Sequence, residues 1–252
     1  RSVGLAHGNA QESPNHYFAF FVPEKWSIAA LGLPPIRNTN MTYSEWAEHA
    51  RYADAVRLKG DQPHYYWQAG VPAEERHHER ERQTFITKDM PLFSTTEDNF
   101  FVFEVESQKG IQCRFGERGV TAATHYDGGR NMVAMLQGAK RYILSPPNQC
   151  SKLGIFTSKK SPIFRHSLLN FDHLNHMDEA GMSPEEKAWL EKAATSRAVE
   201  TVLREGEVLY IPSHWFHYIV SLQKSAQCNV RSGVQESGRP EFGGLEDVEE
   251  CR

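Results

Sequence analysis

The chain has 252 residues, a formal net charge of −4 and 39% hydrophobic residues, with 14 Phe, 9 Tyr and 5 Trp. That supply of apolar and aromatic side chains can fill a sizeable core and excludes a largely disordered chain; the length suits one large domain or a domain with an accessory lobe. The mildly acidic balance leaves no basic footprint for general nucleic-acid binding, and no apolar run approaches the ~18 residues of a membrane-spanning helix.

From the N-terminus, Tyr17 to Val22 reads as a short apolar strand, followed by a loop that ends at Pro34-Pro35. Thr42 and Glu45 make a capping box, so a helix is expected over Tyr43–Ala55. The aromatic run His64 to Gln68, bounded by Pro63 and Gly70, reads as a strand. Residues 73–83 mix Glu, Arg and His and read as a solvated segment. From Phe100 the texture becomes β. Short strand-like runs are expected at Phe100–Phe103, Ile111–Gly116, Thr124–Asp127, Asn131–Leu136 and Arg141–Leu144, with Gly, Asp and Pro turn signals between them. Ser183-Pro184-Glu185-Glu186 has the serine cap, N1 proline and N3 glutamate of a helix start, and that helix should reach about Arg197. Strands return at Val199–Leu203, Glu207–Ile211, Tyr218–Leu222 and Ala226–Arg231. The pattern divides the chain into an N-terminal mixed α/β lobe (1–95), a β-barrel (96–235) with a helical insert at about 148–198, and a loose tail (236–252).

Cys113, Cys150, Cys228 and Cys251 show no CxxC spacing, which argues against a structural zinc site and a dense disulfide framework and leaves one bridge open. Asn40-Met41-Thr42 is a lone glycosylation sequon. Residues 1–10 carry no signal-peptide pattern, and the reading favours cytoplasm or nucleus; a chain that opens on Arg1 still leaves room for a leader or anchor ahead of it.

The chemistry centres on His125-Tyr126-Asp127. Two residues apart in a strand, a histidine and an aspartate point to the same face. A second histidine from a distant strand would complete the two-histidine, one-carboxylate facial triad of non-haem iron(II) oxygenases, which leaves coordination positions open. Gly206 to Pro212 followed by Trp215-Phe216-His217-Tyr218 is a strand running into a proline turn and an aromatic platform. It can deliver His217 into a barrel mouth, with His214 expected to face outward. Lys140 is either a surface residue beside Arg141 or a buried ammonium that requires an anion, which a dicarboxylate would supply.

Together these pieces resemble the JmjC subgroup of the cupin superfamily, the iron(II)- and 2-oxoglutarate-dependent oxygenases. The resemblance runs from about Tyr65 to Gly233, and its centre, His125 through Asn131 and Lys140 to Pro147, is most similar to the small-hydroxylase branch. It implies a mainly β fold with helices: a double-stranded β-helix (jelly-roll, cupin) core with flanking N-terminal and inserted helices. It implies His125, Asp127 and His217 as ligands of Fe(II), with 2-oxoglutarate as cosubstrate, O2 as oxidant, and succinate and CO2 as coproducts. It also implies that Lys140 pairs with the distal carboxylate of 2-oxoglutarate, that Asn131, Tyr66 and Asn229 stand close to the cosubstrate, and that Gln68 faces substrate. Family members often carry Ser or Thr where this chain has Ala122; Thr124 or Thr121 can take that role if the strand is bulged. The implied activity is hydroxylation of a protein side chain or another macromolecule, with a protein or peptide as partner. The alternatives are an N-methyl-lysine demethylase and a non-catalytic metal- or ligand-binding cupin. Residues Asn148–Arg197 are expected to overhang the barrel mouth and select substrate. Oligomeric state stays open.

Overall fold

In a computed structural model, described here for residues 9–13, 17–18, 23–27, 36–56, 62–71, 85–167, 169–171 and 181–233, the chain forms two sheets packed face to face. The larger sheet has the order β10-β7-β12-β5-β4-β1-β3. Its strands are β1 (Asn9–Ser13), β3 (Arg37–Asn40), β4 (His64–Val71), β5 (Ile111–Gly116), β7 (Arg130–Gln137), β10 (Val208–Ile211) and β12 (Ser225–Ser232). The smaller has the order β2-β6-β11-β8-β9, from β2 (Tyr17–Phe18), β6 (Thr121–Tyr126), β8 (Ala139–Ser145), β9 (Val199–Arg204) and β11 (Phe216–Ser221). All pairings are antiparallel except the short β2–β6 contact. This is the mainly β arrangement expected from the spacing of the short strands, in the jelly-roll form that the resemblance implies.

The helices are α1 (Tyr43–Ala55), α2 (Phe85–Asp89) and α3 (Pro184–Ala194). Helix α1 starts on the capping box, with Thr42 Oγ1 accepting from Glu45 N–H at 3.2 Å and Glu45 Oε2 accepting from Thr42 N–H at 2.7 Å. Helix α3 starts on Ser183, whose side chain accepts from Glu186 N–H, and stops at Ala194, short of Arg197.

The larger sheet buries both faces, and the two differ in character. On β5 and β12, Ile111, Cys113, Phe115, Ala226, Cys228 and Val230 join Trp46, Ala47 and Ala50 of α1 and Trp67 of β4 in the main apolar core. The alternate residues, Arg114, Gln227, Asn229 and Arg231, turn inward toward the smaller sheet and line a cavity there. Val133, Met135, Tyr142, Leu144, Leu203 and Ile211 fill part of the space between the sheets with apolar contacts. The remainder is the polar cavity. Cys113 and Cys228 face each other in register across β5 and β12 and form a disulfide. Cys150 is disulfide-bonded as well, and no free cysteine occurs among the described residues.

The expected strand at Phe100–Phe103 does not form. Asn99 Oδ1 accepts the N–H groups of both Phe101 and Val102 at 2.8 Å, which takes them away from any ladder. Phe100 is left 83% exposed. The charged segment 73–83, the tail after Gln235 and part of the expected first strand, residues 19–22, lie outside the described residues.

Candidate metal centre

Strands β6 and β11 bring the two histidines together, because His125 and His217 are paired in register. Their Nε2 atoms are 3.0 Å apart. His125 Nδ1 lies 2.7 Å from the Ala123 carbonyl, and His217 Nδ1 lies 3.0 Å from the Trp215 carbonyl. A carbonyl can only accept, so each neutral ring carries its proton on Nδ1 and aims a lone pair from Nε2 at the other. Two lone pairs at that distance repel unless a cation lies between them. Burial lowers the pKa of both rings, and for His125 the neighbouring His217 and His166 add to it, so the neutral, ligating form is favoured.

Asp127 follows directly after β6, with Oδ2 3.8 Å from His217 Nε2. One ligand atom each from His125, Asp127 and His217 falls within 4.8 Å of the others. The carboxylate is already divided between two tasks. Oδ1 accepts from Arg231 at 2.5 Å and faces Arg165 at 3.5 Å, while Oδ2 faces Asn131 Nδ2 at 3.4 Å and His217. Burial alone would push this carboxyl up, but Arg231 and the surrounding groups hold it well below the usual carboxylate range. The donor set of two neutral imidazoles and one ionised carboxylate suits a divalent first-row metal with positions left open.

The cavity beside these residues has a volume of about 410 Å³. Of the residues singled out from the sequence, Tyr66, Gln68, Asn131 and Asn229 line it together with the triad. Asn229 Nδ2 donates to Asn131 Oδ1 at 2.9 Å, so the two asparagines form one line leading to Asp127.

Lys140 is buried, which removes the reading of it as a surface lysine, but it is not on this cavity wall. Its ammonium lies 5.5 Å from the centroid of the Tyr66 ring, and burial with the nearby Arg114 charge lowers its pKa to about 7.

Thr124 is not brought to the cavity. Opposite the step from His217 to Ile219 on β11, β6 steps from His125 to Ala122, so β6 carries one extra residue. This bulge turns both Ala122 and His125 to the cavity and sends Thr124 to a separate pocket beside Ile143, Ser145 and Phe216. Thr121 Oγ1 donates to the Gly119 carbonyl instead. His214 is buried rather than outward-facing, at φ +63°, with its N–H on the Asp127 carbonyl and its ring against Tyr126.

Four ionisable cavity residues escaped the sequence reading: Arg114, Arg165, His166 and Arg231. Arg114 and Arg231 were legible in principle, since they occupy the polar positions of strands that alternate strictly. Arg165 and His166 gave no such signal. They come from the segment after β8, where Tyr126 N–H donates to the Arg165 carbonyl and Ser167 N–H to the Thr124 carbonyl, against the free edge of β6. Arg165 has φ +70°, a strained conformation for a residue with a side chain. His166 stacks on His125 with ring centroids 4.8 Å apart, and burial lowers its pKa to about 4.

Comparison with known proteins agrees with this fold. Residues 37–231 match the family described as Cupin-like domain. The chain is 30% identical over 128 residues to tRNA wybutosine-synthesizing protein 5 of Danio rerio, covering 51% of this chain and 34% of the relative. It is 27% identical over 117 residues to lysine-specific demethylase JMJ30 of Arabidopsis thaliana, covering 46% and 24%. It is also 29% identical over 141 residues to JmjC domain-containing protein F of Dictyostelium discoideum, covering 54% and 29%. The matches thus span about a third or less of the length of these curated relatives.

Proposed function

The chain belongs to the Cupin-like domain family, and from that premise we propose that it is an Fe(II)- and 2-oxoglutarate-dependent dioxygenase that hydroxylates a protein side chain or another macromolecule. The observation that carries this reading is the pair of Nε2 lone pairs 3.0 Å apart beside the ionised Asp127. His125, Asp127 and His217 would hold the metal, and the rest of the wall is arranged for an anion. Among the described residues that line the cavity there are three arginines and one carboxylate. A dicarboxylate cosubstrate fits that balance, and a site built only to hold a structural ion has no need of it.

When bound, iron(II) with 2-oxoglutarate and O2 supplies the oxidative decarboxylation that releases succinate and CO2 and places a hydroxyl on the substrate. The protein groups hold geometry. The Ala123 and Trp215 carbonyls fix the tautomers of the two imidazoles, Arg231 holds Oδ1 of Asp127 so that Oδ2 would be the oxygen left for a metal, and the Asn229–Asn131 line steadies the same carboxylate. Ile211, Ile219, Val133 and Phe18 supply apolar wall that keeps bulk water away.

The names of the relatives, a tRNA-modifying protein and a lysine demethylase among them, support a macromolecular substrate. Hydroxylation of an N-methyl group would end in formaldehyde, so the product separates the two activities. The test is anaerobic titration of the Fe(II) protein with 2-oxoglutarate, which should give a weak metal-to-ligand charge-transfer band in the visible. His125→Ala and Asp127→Ala should each abolish it, and an unchanged band in either variant would refute the site. A peptide or RNA screen for oxygen incorporation, with formaldehyde measured in parallel, then assigns the reaction.

A further inference from the structure

Arg114 stands out among the groups not used so far. It lies mid-strand on β5, partly buried, and its side chain lines the cavity. Its side-chain hydrogen bond is to the neutral amide of Gln112, at 3.2 Å, and it makes no ion pair among the described residues. Around it stand the Tyr66 phenol, Arg231 and, more weakly felt, Asp127, which Arg231 and Arg165 already hold; the Arg114 charge is in turn felt by Lys140. Two cations, the buried Lys140 and the partly buried, cavity-lining Arg114, therefore stand near Tyr66, and neither makes an ion pair among the described residues. Burial without a partner is costly for either charge, and each makes the other worse. Such an arrangement persists where a ligand brings the missing negative charge.

Resting on the oxygenase reading above, we propose that Arg114 is the cavity-facing anchor for the distal carboxylate of the dicarboxylate cosubstrate, with Lys140 as the second, deeper cation. Three features of the site support this. Lys140 is off the cavity wall and Arg114 is on it. Ala122 lines the cavity without the hydroxyl that its family position often carries, so one hydrogen-bond donor is missing and a guanidinium supplies several. The spacing also fits: Arg114 is in register with Gln227, four residues along β12 from Arg231, which marks the level of Asp127. That is roughly 13 Å of strand, a gap that a five-carbon diacid and a long arginine side chain bridge together. A planar guanidinium can grip the carboxylate with two parallel hydrogen bonds, where an ammonium offers a point charge.

The experiment compares 2-oxoglutarate with 2-oxopentanoate, which has the same chain length but no distal carboxylate. Both are titrated into anaerobic Fe(II) protein, with Mn(II) binding and the apo-protein thermal midpoint measured alongside. Wild type should prefer 2-oxoglutarate strongly. Arg114→Gln should weaken 2-oxoglutarate by roughly 10- to 100-fold, the effect of losing a charged hydrogen-bond partner, and leave 2-oxopentanoate and Mn(II) binding unchanged. Because the variant removes a partly buried charge that has no ion-pair partner among the described residues, its apo form should melt no lower than wild type. Arg114→Lys should recover part of the preference. An Arg114→Gln protein that binds Mn(II) normally and keeps the wild-type preference overturns the role of Arg114 and leaves the oxygenase reading standing. Should the variant lose Mn(II) binding and melt lower, Arg114 is a structural residue and the proposal fails. A wild-type protein that binds Mn(II) but neither oxoacid refutes the oxygenase reading itself, and the role of Arg114 with it.

Discussion

At the scale of single residues, the site combines groups that the sequence announces with groups it conceals. His125, Asp127 and His217 were legible because their spacing and the proline–aromatic platform are chemical signatures, and the structure places their ligand atoms within 4.8 Å of one another. The concealed part is what surrounds Asp127. Arg231 lies 104 residues from its partner, and no local pattern connects them. Because Arg231 occupies Oδ1, it decides which oxygen is left for a metal. Arg231→Ala should therefore lower Mn(II) affinity by about 10- to 100-fold, as loss of a group that orients a metal ligand does. Isothermal titration is the measurement, and an unaltered affinity would show that Asp127 needs no such support. Thr124 teaches the opposite lesson. Its position next to His125 made it a natural candidate, but adjacency in a strand means opposite faces, and the bulge in β6 does nothing to reverse that for Thr124.

At the scale of elements, the strands that could be read from sequence were those with clean alternation or strong turn signals, such as β5, β7, β8 and β12. Each begins or ends within a few residues of where the pattern placed it. The failure at Phe100–Phe103 has a local cause, since a side chain two or three residues upstream captures the backbone groups that a strand would need. The stretch after β8 was expected to overhang the barrel, and its contribution to the site is concrete. It adds a short third run of backbone to the edge of β6 and delivers Arg165 and His166. None of the three candidate ligands belongs to it. Exchanging residues 156–166 for a short Gly-Ser turn should consequently leave Mn(II) binding within about tenfold of wild type, since what is lost is the stacking of His166 on His125 and the longer contact of Arg165 to Asp127, while Arg231 still holds that carboxylate. The same exchange should change which substrates are turned over. Complete loss of metal would mean that the edge pairing, and not β6 and β11 alone, holds the site in shape.

At the scale of the molecule, the larger sheet is the organising element: its outer face, covered by α1, supplies the apolar core, and its inner face supplies the polar wall of the cavity. The period-two pattern that writes the core residues thus writes the site residues in the same strands. The cysteines extend what the sequence offered. One bridge was left open; Cys113–Cys228 and the bonded Cys150 go beyond that. Cys113 and Cys228 are 115 residues apart, so replacing both by alanine should destabilise the fold by about 4–5 kcal/mol through the freed unfolded chain. Denaturant unfolding measures it, and a loss below about 1 kcal/mol would contradict that account. His125, Asp127, the stretch after β8 and His217 all lie between those two cysteines. The bond therefore makes a covalent ring with the whole candidate metal centre threaded on it, and a peptide cut anywhere inside the ring opens the chain without dividing the molecule. A protein nicked there by a protease would stay a single species until a reductant is added, with both histidines still on the same tethered piece.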